Sequence, residues 1–329
     1  MQDTILLLIS GLVLIFISTV VFTNTIEHIA RKMRWSHSFT GAIVAPLITS
    51  FPELTVFVIA VFIYRGISGD EIGIGTILGE PFMASTIAYT LVFVSIIIAM
   101  FFNKRKKRDL KIDKVLRIPY AFIVILFPLI LIPYFFNISI LKYLFAALFL
   151  GSYGYYMVLM YRNRAAEHVE ETGTLMLSRV LAPNFALILQ LILSIAGIYF
   201  GSSILVQSIE QVSVNTGLSA LATAIILVPV GTAIPETLSA MIWAYKGKDN
   251  FAISSLVGEK VLYSTFYPGL ALLLVPWLLD YYAYISVIAT TTISLIYLYY
   301  INKGRIPSYA LLFGLIFFII YIFLVFPYL

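Results

Sequence analysis

Apolar runs of about twenty residues recur from Ile5 to the far end of the chain, broken only by short polar connections, and that pattern sets the solvent in which it folds. A helix rises about 1.5 Å per residue and the hydrocarbon core is about 30 Å thick, so each run is a candidate span. Composition agrees, with 61% of the 329 residues hydrophobic and 11% charged, too little polar surface for a water-soluble fold. Division on this basis gives ten spans, at 5–22, 38–64, 71–102, 118–136, 139–160, 183–207, 215–245, 250–278, 281–301 and 306–327. The expected class is all-α and integral to the membrane, with almost nothing left for a soluble domain. The first run has no basic leader and no small-residue cleavage site, so it reads as a retained helix and not a signal peptide.

Basic residues test that division, because Lys and Arg near helix ends accumulate on the cytoplasmic side. The odd-numbered connections hold Arg31, Lys32, Arg34, the seven basic residues from Lys104 to Lys114, Arg117, Arg162, Arg164, Arg179, Lys246, Lys248, Lys303 and Arg305, which is 18 of the 21. The opposite side has only Arg65 and Lys142. One span more or fewer would scramble the bias, so ten spans with the N and C termini outside is the expectation. The run from Lys104 to Lys114 reads as a topology anchor against anionic headgroups, and it explains the net charge of +5 without a nucleic-acid partner. The expected surroundings are a lipid bilayer, with the chain a multi-pass protein of the cell membrane and no obligate protein partner implied. Residues 161–182 form a cytoplasmic linker, too short for a folded domain, in which Ala165 to Glu171 has the composition of a short surface helix.

The chain contains one clear internal repeat. Pro46, Thr49, Pro52 and Glu53 match Pro229, Thr232, Pro235 and Glu236 at one constant offset. After a four-residue difference in the connecting loop, Asp70, Gly79 and Glu80 match Asp249, Gly258 and Glu259. Each copy falls on the second and third helices of a five-helix half. Five is odd, so the halves, 1–160 and 183–329, enter the membrane in opposite directions as inverted repeats. In such folds a substrate site lies near the midplane, where the repeats meet.

Inside the apolar spans only four acids stand in strong positions: Glu53, Glu80, Glu236 and Glu259. An ionised side chain at the bilayer centre costs roughly 2.5 to 3.5 kcal/mol even on lenient scales, so acids kept there mark function. A helical proline frees the carbonyl four residues earlier, Ile48 for Pro52 and Gly231 for Pro235, and such carbonyls are tolerated where they line a cavity. Thr49 with Glu53, and Thr232 with Glu236, are four apart and expected on one helix face. This set is oxygen-only, which suits hard cations such as Ca2+, with Na+ and Mg2+ as competitors. Gly75 with Gly79, and Ser254 with Gly258, are expected to allow close helix crossings. Tyr and Trp near span ends read as headgroup anchors, and His28, His37 and His168 lie outside the spans. Asn137-Ile138-Ser139 fits a glycosylation acceptor. No zinc-type histidine pair occurs and cysteine is absent, so neither an enzyme nor a resident cofactor is expected.

At TSFPEL and GTAIPETLSA, each followed by a loop and a small-residue motif ending in Gly-Glu, the chain resembles the calcium/cation antiporter superfamily, especially sodium/calcium exchanger-like proteins. The resemblance covers about 75 residues. It implies a secondary active antiporter in which Glu53 and Glu236 bind Ca2+, with Thr49 and Thr232 beside them and Ser50 as a further oxygen; Ala233 takes the corresponding serine's place in the second copy. The second motif departs from the family's G-S-N-x-x-N or G-S-N-x-x-D pattern. Here it reads Gly79-Glu80-Pro81-Phe82-Met83-Ala84 and Gly258-Glu259-Lys260-Val261-Leu262-Tyr263. Crowded like charges favour proton uptake, so Glu80 and Glu259 are expected to exchange protons or a further cation, and H+ stands beside Na+ as counter-ion. Other cation/proton exchange (Na+, K+ or Mg2+) and a passive cation channel are the alternatives. Lys260 is either an internal counter-charge or, being about 100 degrees round the helix from Glu259, a residue facing another helix.

Overall fold

A computed structural model describes residues 2–32, 47, 49–136, 138–162, 175–179 and 181–326. Among the described residues the regular structure is helical except for one antiparallel pair of two-residue strands, β1 (Leu110–Lys111) and β2 (Arg305–Ile306). Long apolar segments form single helices because every backbone group in lipid must be satisfied within the segment. In order these are α1 (Gln2–Lys32), α2 (Phe51–Tyr64), α3 (Gly66–Phe101), α4 (Lys114–Phe136), α5 (Ser139–Arg162), α6 (Pro183–Thr216), α7 (Ala220–Thr232), α8 (Ile234–Tyr245), α9 (Asp249–Ser264), α10 (Phe266–Leu274), α11 (Tyr281–Asn302) and α12 (Ser308–Val325). Among the described residues seven helices are long and apolar enough to cross a membrane, and α7 with α8 makes an eighth such segment bent by 59°.

Several expected boundaries move. The first helix runs on to Lys32 and so includes His28, the third begins at Gly66, and the sixth continues to Thr216. There Gly217, at φ 72°, accepts the left-handed turn that closes the helix with its N–H on the Ser213 carbonyl. The expected span 250–278 is two helices, broken at Thr265. The start of the span at 38, the linker helix at 165–171, Asn137, His37 and His168 lie outside the described residues.

Helices α1 and α6 cross closely at Gly11 and Gly201, where an added Cβ at Gly201 would sit 2.9 Å from the Ile15 nitrogen. Helix α3 crosses α7 at Gly75 and Gly79: Cβ atoms there would lie 2.6 Å from the Leu221 carbonyl oxygen and 2.7 Å from that of Ile225. The expected small-residue crossing in the second copy does not form, since a Cβ at Gly258 would meet nothing within 4 Å. The basic run is more than an anchor. Arg105 is buried and donates to Asp249 Oδ1 at 2.5 Å and to the carbonyls of Ala244, Lys107 and Asp109, while Asp249 Oδ2 accepts from the Lys111 N–H. Together with the β1–β2 pair this straps the connection between α3 and α4 onto the later part of the chain. At the other end of the bundle, Trp277 donates to the Ile130 carbonyl and Lys142 to that of Val275.

Candidate functional site

Proline decides the local structure around the first pair of acids; Ile48, one of the two carbonyls expected to be freed, lies outside the described residues. The helix breaks two residues before each proline, at Ser50 (φ −80°, ψ 5°) and Ala233 (φ −87°, ψ −2°). Pro52 and Pro235 then head the restarted helices α2 and α8, the position where a missing N–H is cheapest. Matching bonds follow: Leu54 N–H donates to the Ser50 carbonyl at 3.0 Å, and Thr237 N–H to that of Ala233 at 3.2 Å. Glu53 and Glu236 therefore stand in the first turn after equivalent breaks. Glu80 is held differently. It precedes Pro81 inside α3, and the backbone widens into a π-helical stretch at Ala84–Ala88 while Ser85 and Thr86 hydroxyls cap the carbonyls of Pro81 and Phe82. Glu259 lies in α9, six residues before its break at Thr265.

The fold brings all four carboxylates within one another's electrostatic field. Glu53, Glu80 and Glu259 are buried and Glu236 is half-buried. Glu53, Glu80 and Glu236 each keep one buried carboxylate oxygen without a hydrogen-bond partner. Such an atom is costly unless a proton or cation joins it. Among the described residues no three acids or histidines converge closely enough to hold a metal by themselves, so a cation bound here would need hydroxyl ligands or a change of conformation.

Two hydroxyls reach across the repeats. Thr49 donates to the Glu259 carboxylate, from the first copy to the second. Thr232 approaches Glu53, from the second copy to the first, and its hydroxyl bonds the Val228 carbonyl. Ser50 is buried and shares a 2.6 Å hydrogen bond with the Tyr267 hydroxyl. Tyr263 also approaches Glu53, with its hydroxyl unpartnered. A cavity of about 240 Å³ reaches Glu80 and Glu236; its wall is otherwise mainly apolar, from residues such as Ile87, Ala88, Leu91 and Leu256.

Sequence reasoning missed the tyrosines. Tyr120 and Tyr297, read as headgroup anchors, are fully buried with Tyr89, and Trp277 is buried as well. Tyr263 and Tyr267 in α9 and α10 carry the signal that could have found them, polar tips four residues apart, one turn and two turns after Glu259. Lys260 faces α11, where it donates to Ser294 Oγ at 3.0 Å.

A family model described as sodium/calcium exchanger protein matches residues 4–162 and 186–328. The chain belongs to that family. It is thus a multi-pass membrane protein of the calcium/cation antiporter superfamily, whose members are transporters rather than enzymes. This exchanger-family chain is 24% identical over 285 residues to an antiporter named CaxA from Alkalimonas amylolytica, covering 82% of the chain and 80% of the relative. It is 33% identical over 127 residues to sodium/potassium/calcium exchanger 2 of Gallus gallus, which is 39% of the chain and 17% of that relative. Its fold matches the crystal structure of the H+/Ca2+ exchanger CAX with a TM-score of 0.71 at 17% identity, over 98% of this chain and 87% of the other. The sodium–calcium exchanger NCX_Mj matches with 0.59 at 17% identity, over 98% of each chain.

Proposed function

We propose that the chain is a secondary active antiporter that exchanges Ca2+ for H+ or Na+ by alternating access at one site near the bilayer midplane. Glu53, Glu80, Glu236 and Glu259 supply its charge, and Thr49, Ser50 and Thr232 supply hydroxyl ligands. The observation that carries this reading is the pair of matching helix breaks, at Ser50 and Ala233, behind a cluster of four acids of which three present an unpartnered buried oxygen. Carboxylate and hydroxyl oxygens suit a hard divalent cation and offer nothing to a soft one. While Ca2+ is bound, four carboxylates face its two charges and the single charge of Lys260, so one further positive charge closes the balance; when Ca2+ leaves, the counter-ion takes up the carboxylates that it vacates.

The two five-helix halves, 1–160 and 183–329 with the linker 161–182 between them, act as inverted repeats in a ten-span layout with both termini outside. The half-turn relation of such repeats supplies two equivalent states, one open to each side. The cavity that reaches Glu80 and Glu236 serves as an access route to the site in one of them. Relatives named as H+/Ca2+ and as sodium–calcium exchangers support both counter-ions as candidates.

The test is radioactive Ca2+ uptake into proteoliposomes under an imposed pH gradient and, separately, an imposed Na+ gradient. Uptake driven by one gradient identifies the counter-ion; Ca2+ flux that neither gradient drives uphill identifies a passive pore. Glu53→Gln and Glu236→Gln are expected to abolish uptake while the protein stays monodisperse, and full transport by both variants overturns the site assignment.

A further inference from the structure

Lys260 is the charged group at the centre of the bundle that calcium coordination leaves without a task. Its side chain is 0% exposed. One helical step from Glu259 turns it about 100 degrees away from that carboxylate, toward α11. The ammonium donates to Ser294 Oγ at 3.0 Å and stands 5.4 Å from the ring centroid of Tyr89 and 5.5 Å from that of Tyr120. Those two tyrosines share a 2.5 Å hydroxyl–hydroxyl bond, and Tyr297 sets its ring edge-on to both, with centroids 4.6 and 5.9 Å away. An ammonium has three N–H donors and no acceptor. Here one donor meets Ser294 and the π faces take up the charge, an arrangement that strengthens when water is excluded. The surroundings form a built cage for a monovalent cation, already filled by a side chain.

Helix α9, which carries Lys260, packs against α3, which carries Glu80 and Tyr89, and Glu80 is the acid whose charge bears on Lys260. Among the described residues the one contact ion pair is Arg105 with Asp249, so Lys260 offsets Glu80 without covering its oxygens. The repeat makes this one-sided: the offset that pairs Glu80 with Glu259 pairs Lys260 with Pro81, so the first copy carries no such charge.

We propose that Lys260 is a tethered cation, holding throughout the cycle the place beside Glu80 that a free alkali cation would otherwise take. The exchanger therefore carries one monovalent cation fewer than its four carboxylates call for. This transport consequence rests on the exchange reading above; the cation cage does not.

The experiment uses Lys260→Met, which removes the charge and keeps an unbranched stem, and Lys260→Arg, which keeps the charge. Purified protein in detergent without Ca2+ is melted while KCl or NaCl replaces choline chloride at constant ionic strength. Wild type and Lys260→Arg are expected to be indifferent to the exchange of salts. Lys260→Met is expected to melt lower in choline and to recover with K+ or Na+, with an apparent affinity at least about tenfold tighter than wild type, equivalent to about 1.4 kcal/mol. A Lys260→Met protein as stable as wild type and indifferent to alkali cations overturns the proposal. If that variant does not fold, the double variant Lys260→Met with Glu80→Gln removes charge and counter-charge together. Its recovery supports the proposal, and its failure to fold reduces Lys260 to packing and overturns it. In proteoliposomes the charge moved per Ca2+ should change by one in Lys260→Met. A wild-type protein inert toward Ca2+ under either gradient sinks the transport reading and leaves the melting result to decide the cage.

Discussion

Gly79 and Gly258 hold the same place in the two copies of the repeat, yet a methyl group added to each should move stability in opposite directions. In Gly79→Ala the new Cβ would lie 2.7 Å from the Ile225 carbonyl oxygen, 2.9 Å from Ile225 Cα and 3.0 Å from Pro229 Cγ. Two of these atoms are backbone and the third is in a ring, so none can swing away. Restoring ordinary contact requires α3 and α7 to part by roughly 0.5 to 1 Å, given carbon separations of about 3.5 to 4.0 Å at the optimum. Overpacking of this kind costs about 1 to 3 kcal/mol. The better helix propensity of alanine returns about 0.8 to 1.0 kcal/mol, so the net loss is up to roughly 2 kcal/mol. Glu80 is the next residue, so the same shift displaces its carboxylate and lowers Ca2+ uptake. In Gly258→Ala the Cβ meets nothing within 4 Å, so propensity acts unopposed and the variant should gain about 0.5 to 1 kcal/mol. Unfolding of both variants in detergent, with Ca2+ uptake on the same preparations, tests the pair. Gly79→Ala at wild-type stability, or Gly258→Ala less stable than wild type, would refute the argument.

Arg105→Ala should lower unfolding stability by about 3 to 5 kcal/mol, because it strips a buried partner from Asp249 and undoes the strap between the α3–α4 connection and α9. Arg105→Lys should recover only part of this, since a single ammonium cannot span the three carbonyls and the carboxylate that the guanidinium reaches. Tyr267→Phe removes the 2.6 Å bond to Ser50 and should weaken Ca2+ binding about fivefold, the equivalent of about 1 kcal/mol. Isothermal titration with Ca2+ checks it, and an unchanged affinity would take Ser50 out of the ligand set.

The family and the four acids were legible early because hydrocarbon penalises charge so heavily that Glu53, Glu80, Glu236 and Glu259 stand out, and repetition doubles the signal. Other readings failed for a common reason. Hydropathy reports how deep a residue lies but not which way its helix face turns, so Tyr120, Tyr297 and Trp277 were taken for interfacial anchors although they are buried. Charge counting assigns a side to the run from Lys104 to Lys114 but does not reveal that Arg105 leaves the headgroup region to bind Asp249. Spacing puts Thr49 one turn before Glu53 but does not reveal that its hydroxyl bonds Glu259.

Apolar run length was enough to mark a membrane protein, because a backbone in lipid must satisfy its own hydrogen bonds, and this constraint acts within each segment. The proline breaks were equally local, since a missing N–H finds its cheapest place in the first turn of a helix. Other features depended on helices far apart in the chain: the crossing of α3 and α7 at Gly79, the open space at Gly258, the threonines exchanged between halves, and the turn of Lys260 into a tyrosine cage. Each follows from how whole helices cross, and a crossing is settled by the summed packing of many side chains over two surfaces, which no single stretch of residues encodes.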